Sequence, residues 1–385
     1  ACTRALRDIR YLTMAGQADF ADSNIALLGS DIEKEVRLEA AQTVEAYKGA
    51  GKKVGVEVWR IEKFKVVKWP LEKYGTFFDG DSFIVLRTYK ESDKTEKLLY
   101  DIHFWLGSDA SQDEMGVAAY MTVVLDDLLG TLPVQYREVE DYETEKFIAV
   151  WNDFGGMRIL EGGIDSGFNH VSPKEYKPRL LHVKGNRKAM RVRQVPLETV
   201  SLNHGDVFIL DNGLDIIEWH GESAGVFEKR RAAQVVDALE GERNHKAKTC
   251  ILDGLEDHET FWELLGGDKS TIKSKDEGGP DDGKADDFTS KLFKLSDASG
   301  SLESTEVATG SFNKSHLDSA DVFIADLGHQ LYCWIGSGAS KNERRKGMKY
   351  ATDFLTKSGR PLHTPIVKVV EGGEPSDFKE LFAGY

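Results

Sequence analysis

The sequence is short of several things, and each shortage closes off a class of function. Cysteine occurs three times in 385 residues, as Cys2, Cys250 and Cys333. Their wide separation gives neither metal-ligand spacing nor a disulfide framework, which favours a reducing compartment such as the cytosol. No run of 18 or more apolar residues occurs, so no segment reads as a membrane-spanning helix. The opening residues, Ala1-Cys2-Thr3-Arg4, lack the basic-then-apolar plan of a secretory signal. Positive charge is in deficit, 50 Lys and Arg against 65 Asp and Glu, for a formal net charge of −15. That balance opposes non-specific binding to nucleic acid or anionic membrane by the molecule as a whole, and suits a protein that binds cations. Enzyme signatures are missing as well: there is no Gly-x-Ser-x-Gly, Walker loop, His-Glu-x-x-His or dinucleotide fingerprint. The stretch Gly162 to Gly167 is glycine-rich without the strand-to-helix plan of a phosphate loop. Asp257-His258-Glu259, the nearest approach to an acid–base cluster, reads as an exposed turn.

What is present is repetition. Asp81, Asp206 and Asp321 each open an Asp-x-Phe-Ile run; Trp105, Trp219 and Trp334 follow, each with a glycine two residues later (Gly107, Gly221, Gly336) and a glutamate nine residues later (Glu114, Glu228, Glu343). Asp206 to Glu228 and Asp321 to Glu343 both span 22 residues. The first copy spans 33, and the extra 11 fit a longer polar hairpin around Lys90–Lys97, where insertions are cheap. Each cassette reads as strand, strand, helix, with a further strand at Val134–Val139, Thr249–Leu252 and Pro365–Val370. That order predicts an α+β fold of three units, each about five strands in a mixed sheet packed against one or two helices. The boundaries expected are an N-terminal extension over 1–50, units over 51–170, 171–267 and 291–385, and an exposed acidic linker over 268–290. Within the extension, Ser30-Asp31-Ile32-Glu33 reads as a helix start and Gly49-Ala50-Gly51 as its stop.

Three features carry chemistry. First, each aspartate follows a small residue (Gly80, Gly205, Ala320) whose carbonyl can be approached closely, and each glutamate falls in the first turn of a helix. If the helix folds back on the sheet, the two carboxylates and the carbonyl converge as hard oxygen donors suited to calcium. The alternative is that both acids merely cap a turn and a helix. Second, the helices of the second and third copies carry dense polar faces (Glu228 to Arg231; Glu343 to Lys346, and Lys349), whereas Ser111–Gly130 contains no lysine or arginine. Met115, Val117, Tyr120, Met121, Val123, Val124, Leu125, Leu128 and Leu129 run almost all the way round it. Such a helix is buried either by its own domain or by a partner groove. Third, Arg179, Lys184, Arg187, Lys188, Arg191 and Arg193 form a basic cluster in an acidic chain. It suits phosphoinositide headgroups or an acidic protein surface, or is a solvated hairpin at a sheet edge.

The frame Trp59-Arg60-Ile61-Glu62, Tyr74-Gly75-x-Phe77-Phe78-x-Gly80-Asp81, His103-Phe104-Trp105-Leu106-Gly107, Ser111-Gln112-Asp113-Glu114 and Leu125-Asp126-Asp127 resembles the first domain of the gelsolin family. Ser166 to Val171, Arg179-Leu180 and Val183-Lys184-Gly185 resemble its passage into the second domain. The match covers about residues 50–385, and three units suggest the severin or fragmin type. The resemblance implies that each unit is a five- or six-stranded mixed sheet between a long and a short helix. The resemblance implies a non-enzymatic, cytoplasmic cytoskeletal protein that severs actin filaments and caps their barbed ends in response to calcium. It implies calcium sites at Gly80, Asp81, Glu114 and the Ile164 carbonyl, at Gly205, Asp206 and Glu228, and at Ala320, Asp321 and Glu343. Asp286 is the candidate for the linker acid that completes the second. Asp126 matches a residue sharing a further calcium with actin, and Tyr120, Met121, Val124 and Asp127 match the helix entering actin's cleft. Arg179 and Lys184 would face the filament side, and Lys184 to Arg193 would take phosphatidylinositol bisphosphate. The sequence departs from the family at Val124, where vertebrate gelsolin has glutamine, and at Trp151–Arg158, where a lipid-binding stretch keeps one positive charge. Val207 and His220 stand in place of the cysteine pair of secreted gelsolin. The rivals of other classes are a carboxylate–metal hydrolase, which lacks a partnering histidine or nucleophile, and a phosphoinositide-regulated scaffold without severing.

Overall fold

The spacing of the cassettes becomes, in space, three copies of one local geometry. The computed structural model describes residues 44–62, 65–92, 94–130, 133–163, 177–186, 190–243, 245–278, 288–296, 303–339 and 341–385. In the first repeat, β1 (Gly55–Glu62), β2 (Lys65–Lys68), β3 (Thr76–Phe78), β4 (Ser82–Lys90) and β5 (Leu98–Leu106) precede the long helix α1 (Gln112–Leu128). Strand β6 (Val134–Val139), the short helix α2 (Glu145–Val150) and β7 (Met157–Leu160) follow. In the second, β8 (Arg179–Gly185), β9 (Met190–Val195), β10 (Val207–Asn212) and β11 (Asp215–His220) lead to α3 (Val226–Glu242), β12 (Lys248–Asp253) and α4 (Glu259–Leu264). In the third, β13 (Lys291–Ser296), β14 (Glu303–Thr309), β15 (Phe312–Asn313), β16 (Val322–Asp326) and β17 (Leu331–Ile335) come first. Helix α5 (Lys341–Lys357), β18 (Ile366–Val370), α6 (Ser376–Lys379) and β19 (Phe382–Ala383) complete it.

Each repeat has an antiparallel hairpin and a parallel return strand: β4–β5–β6, β10–β11–β12 and β16–β17–β18. The parallel return requires the long helix as its crossover, and that helix has 17 residues every time. The long helix covers one face of the sheet and the short one the other. Ala118 and Leu125 of α1 meet Ile84 and Ile102 on one side, while Phe147 of α2 meets Phe83 and Trp105 on the other. Val235 and Leu239 of α3 against Phe261 of α4, and Phe354 and Leu355 of α5 against Phe378 of α6, repeat the plan. The fold is α+β, and the extra length of the first hairpin is spent where expected, with pairing continuing out to Lys90 and Leu98.

One backbone contact recurs without variation. Phe83, Phe208 and Phe323 pair with Trp105, Trp219 and Trp334, two residues beyond each aspartate. The chain then turns, and the amides of Gly107, Gly221 and Gly336 donate to the carbonyls of Asp81, Asp206 and Asp321, each at 3.0 Å. Two residues on, Asp109, Ser223 and Gly338 donate to the carbonyls of Asp79, His204 and Ser319 at 2.9, 2.8 and 2.7 Å. The approach is so close that a Cβ on Gly107 or Gly336 would lie 2.1 Å from the Asp79 or Ser319 carbonyl oxygen, and one on Gly221 2.6 Å from the His204 carbonyl carbon. Glycine is required there by contact, not by turn conformation. The double bond fixes where each long helix starts. Ser111 then caps α1 in a reciprocal box with Glu114, and the Gly225 amide donates to Glu228 at 2.8 Å.

The sheets of the repeats run on into one another. Ten strands run in the order β14-β13-β16-β17-β18-β6-β5-β4-β1-β2, joining the third repeat to the first. The seam is antiparallel, with Arg137, Tyr136 and Gln135 of β6 opposite Ile366, Val367 and Lys368 of β18. Both return strands are otherwise sheet edges, and pairing them satisfies the exposed amides and carbonyls of both. The second sheet, β12-β11-β10-β8-β9-β7-β3, takes two strands from the first repeat. Strand β9 is therefore flanked on both sides rather than lying at an edge. Of the N-terminal extension, residues 44–50 dock on the first repeat: Tyr47 is buried, its hydroxyl donates to the Met121 carbonyl at 3.1 Å, and the Trp59 indole donates to Ala46 at 2.7 Å. The helix read from Ser30 lies mostly outside the described residues. The acidic linker is not free throughout, since Lys273 exchanges backbone bonds with Leu202 and His204. Asp257-His258-Glu259 is the start of α4, with the His258 ring accepting from the Phe261 amide.

Gly336→Ala drives a methyl group into the Ser319 carbonyl, which costs about 1–3 kcal/mol as an overpacked contact. Urea unfolding of the variant should show that loss, with the third repeat's α5 losing helical signal first; an unchanged midpoint would remove the contact from its structural role.

Candidate functional site

The three aspartates end up in equivalent surroundings, and each is held by a basic side chain, Arg60, His182 or Lys294, on the neighbouring strand. Asp81 is fully buried, with the Arg60 guanidinium 2.6 Å from its carboxylate and itself fully buried. Asp206 accepts from His182 at 2.7 Å and from the Asn203 amide at 2.7 Å, with Lys184 at 3.5 Å. Burial works to raise its pKa, but these hydrogen bonds and the charges of His182 and Lys184 outweigh it and hold the carboxyl below the ordinary value. Asp321 lies 2.5 Å from Lys294, and that hydrogen bond raises the lysine's pKa. Sequence reading missed Arg60, His182 and Lys294, which stand 21, 24 and 27 residues before their aspartates. No constant spacing marks them; only strand register does.

The oxygen donors fit a hard cation in part. Glu228 is buried and accepts from the Gly185 amide at 3.3 Å, while Asp206 meets the adjacent Lys184. The end of β8 therefore gathers both carboxylates of the second repeat. In the first, a Cβ on Gly163 would stand 3.2 Å from the Gly80 carbonyl oxygen and 3.4 Å from an Asp81 carboxylate oxygen. The chain at 162–163 thus packs against the carbonyl and carboxylate named from sequence, and the Gly80 amide donates to Gly162 at 2.8 Å. Glu114 takes the helix-capping role, accepting from the Ser111 hydroxyl at 3.1 Å. Glu343 lies in the first turn of α5, with its side chain outside the described set, and Ala320 follows the Asp318 cap. Ile164 and Asp286 lie outside the described residues. Among the described residues no three His, Cys, Asp or Glu side chains form a metal-holding group, so backbone oxygens have to contribute.

Helix α1 is not buried all round. Val124 sits in the core at 2% exposure, Met121 is half-buried, and Tyr120 stands 51% exposed on the outer face. In this arrangement α1 turns Val124 inward, so its assigned partner contact would require the side chain to be uncovered. Asp126 and Asp127 are buried too, and Asp126 lies at the third repeat, where Lys368 of β18 comes within 3.8 Å of it. Met348 of α5 packs against the core that α1 shares. Around the same seam, Arg137 donates to the Leu362 carbonyl at 2.9 Å, and Tyr142 stacks on His363 with ring centroids 3.6 Å apart.

The basic cluster is spoken for. Arg193 makes a two-pronged pair with Asp141 at 2.7 and 2.8 Å, and Arg191 reaches both the carboxylate and the carbonyl of Glu143 at 3.2 Å. Glu143 also accepts from the Trp105 indole at 3.0 Å. Arg179 pairs with Asp211 at 2.9 Å, and Lys184 donates to the Gly278 carbonyl besides facing Asp206. The edge-hairpin reading fails because β9 is inside a sheet and its arginines bind the first repeat. Arg187 and Lys188 lie outside the described residues.

These features define a class before any comparison: tandem α+β repeats that share sheets and carry an acid at each strand start. The gelsolin repeat matches residues 63–148, 188–262 and 303–379. Gelsolin-like protein 1 of Lumbricus terrestris is 42% identical over 366 residues, covering 94% of this chain and 96% of that protein. Cytoplasmic gelsolin of Homarus americanus is 41% identical, covering 88% of this chain and 45% of its own length. Actin depolymerising venom protein gelsolin 1 of Platymeris rhadamanthus is 38% identical, covering 88% and 90%. The chain belongs to the gelsolin family.

Burial, and then the charge of Arg137, hold His363 below its ordinary pKa of 6.5. A depressed histidine contributes its full stabilisation above the unfolded value and loses it as pH falls toward the folded one. Amide exchange along β18 should therefore speed up between pH 7 and pH 5, once corrected for intrinsic rates. His363→Phe, which keeps the stack on Tyr142, should flatten that dependence; a variant as pH-sensitive as the parent would exclude His363 as its source.

Proposed function

We propose that the chain is a calcium-regulated actin-binding protein that severs filaments and caps their barbed ends. The observation that carries this reading is the state of α1. It is a helix without a single lysine or arginine, with Tyr120 exposed on its outer face, its two C-terminal acids buried, and Asp126 facing Lys368 of the third repeat. A helix whose middle turns, Met115 to Leu125, carry no charge and expose an aromatic suits a hydrophobic groove on a partner. The name of the venom relative attaches actin depolymerisation to a protein 38% identical over most of its length. No step of bond chemistry is asked of the side chains, so the protein acts by binding rather than as an enzyme.

Gly80, Asp81 and Glu114, Gly205, Asp206 and Glu228, and Ala320, Asp321 and Glu343 would hold calcium, completed by Ile164 in the first repeat and Asp286 in the second. A bound calcium ion supplies positive charge and takes about six to eight oxygen ligands. The residues themselves provide the two-state element, since the closed arrangement rests on the β6–β18 seam, the Asp126–Lys368 pair and the Tyr142–His363 stack. While it holds, Asp126 and Asp127 are withheld from a partner; when it opens, Tyr120, Met121, Asp126 and Asp127 are available together. Arg179 and Lys184 would serve the filament side. Arg191 and Arg193, with Arg187 and Lys188, would reach phosphatidylinositol bisphosphate after leaving their acids on the first repeat. The expected location is cytoplasmic, on the cytoskeleton.

Depolymerisation of pyrene-labelled actin filaments tests this. Wild type should accelerate it in calcium and not in chelator, and Tyr120→Ala should weaken the effect about tenfold or more, as for a central interface aromatic. The same rate in calcium and chelator would overturn the reading.

A further inference from the structure

Strand register places three basic residues at one equivalent position. Arg60 of β1 lies opposite Phe83, His182 of β8 opposite Phe208, and Lys294 of β13 opposite Phe323. Each phenylalanine is two residues past the aspartate of its repeat, so each basic residue is the diagonal cross-strand neighbour of that aspartate, within reach of its side chain. The contacts are correspondingly alike at 2.6, 2.7 and 2.5 Å. We propose that Arg60 and Lys294 are built-in counter-ions and His182 the equivalent hydrogen-bonding partner, and that each aspartate takes a divalent cation by exchanging its internal partner rather than by lining a ready-made cage. The inference rests on the calcium reading above and adds which residues set the affinity.

The physical case begins with the unliganded protein. A carboxylate buried without a partner is costly, so a repeat with its ion absent needs something to neutralise Asp81 and Asp206. A basic side chain on the adjacent strand does so without adding an element to the fold. Where that side chain is Arg60 or Lys294 it then opposes the incoming divalent ion, because two positive charges gathered on one carboxylate repel each other. The three positions also differ in a graded way. The side chains of Arg60 and Asp81 are both fully buried; those of His182 and Asp206 are 16% and 4% exposed; those of Lys294 and Asp321 are 41% and 23% exposed. Lys294 can swing into water at once. Arg60 has to stay inside, and the faces of Trp69 and Phe78, with centroids 5.3 and 5.4 Å from its guanidinium carbon, give it a place to do so. In the second repeat, Lys184 stands by as an additional positive charge at 3.5 Å. The third repeat therefore fills at the lowest calcium concentration and the first at the highest.

Isothermal titration calorimetry of the full chain with calcium chloride tests the proposal. Asp321→Asn identifies the third repeat's step in the wild-type isotherm by removing it. Lys294→Met should tighten that step about tenfold, and Lys294→Gln, which keeps a polar head without the charge, should tighten it in the same direction. Circular dichroism in chelator confirms that both variants are folded. Calcium uptake by wild type with a third step unchanged or weakened in both lysine variants would overturn the exchange and leave the calcium reading standing. No uptake by wild type at all would overturn the calcium reading and this inference with it.

Discussion

Everything in this molecule hangs from one backbone contact made three times. The glycine two residues after each tryptophan lies against the turn that carries the aspartate, close enough that no side chain fits between them. Because the amide of Gly107, Gly221 or Gly336 donates to the aspartate's own carbonyl, the end of one strand, the start of another and the first turn of the long helix are set by a single geometry. The aspartate cannot move without the helix. A ligand change at the carboxylate is thereby coupled to a 17-residue helix on the outside of the sheet, which is the requirement for turning a local electrostatic event into a shape change.

The second constraint acts between repeats. Strands β6 and β18 are both return strands, added last to their sheets, and each leaves an edge that the other closes. The seam covers more than the backbone. It draws Lys368 to Asp126, stacks His363 on Tyr142 and lays Met348 against the core beneath α1. The first repeat thus cannot present the C-terminal end of α1 while the third is paired to it. On its other side the first repeat gives β3 and β7 to the second sheet and ties Arg191 and Arg193 to its own acids. A middle repeat anchored in this way lets the seam with the third repeat be the part that yields.

What could be read in the sequence was what chain-local spacing encodes. The Asp, Trp, Gly and Glu positions recur at fixed offsets because they belong to one strand–turn–helix unit, so the helix starts, the return strands and the long first hairpin were all legible. The ends of α1 were given by Ser111 with Glu114 and by the run to Gly130. The illegible parts are those set by partners distant in the chain. Nothing in Val134–Val139 says that its free edge will meet Ile366–Val370, since edge pairing adds no periodicity to either strand. Strand β9 looked like a basic hairpin because Asp141 and Glu143, which take its arginines, lie about 50 residues away. The burial of Val124 could not be read either, because a helix apolar on most sides does not declare which side is inward. Arg60, His182 and Lys294 escaped notice for the same reason: loops of different length separate them from the aspartates they hold.

The first and last repeats are held together at the β6–β18 seam, with the Asp126–Lys368 pair and the Tyr142–His363 stack beside it. Small-angle X-ray scattering of the full chain in chelator and in calcium tests directly whether that seam opens. A radius of gyration that increases in calcium, and increases in chelator when Lys368→Glu breaks the contact with Asp126, is the predicted result. The same radius in both solutions, with the variant no different, would contradict it.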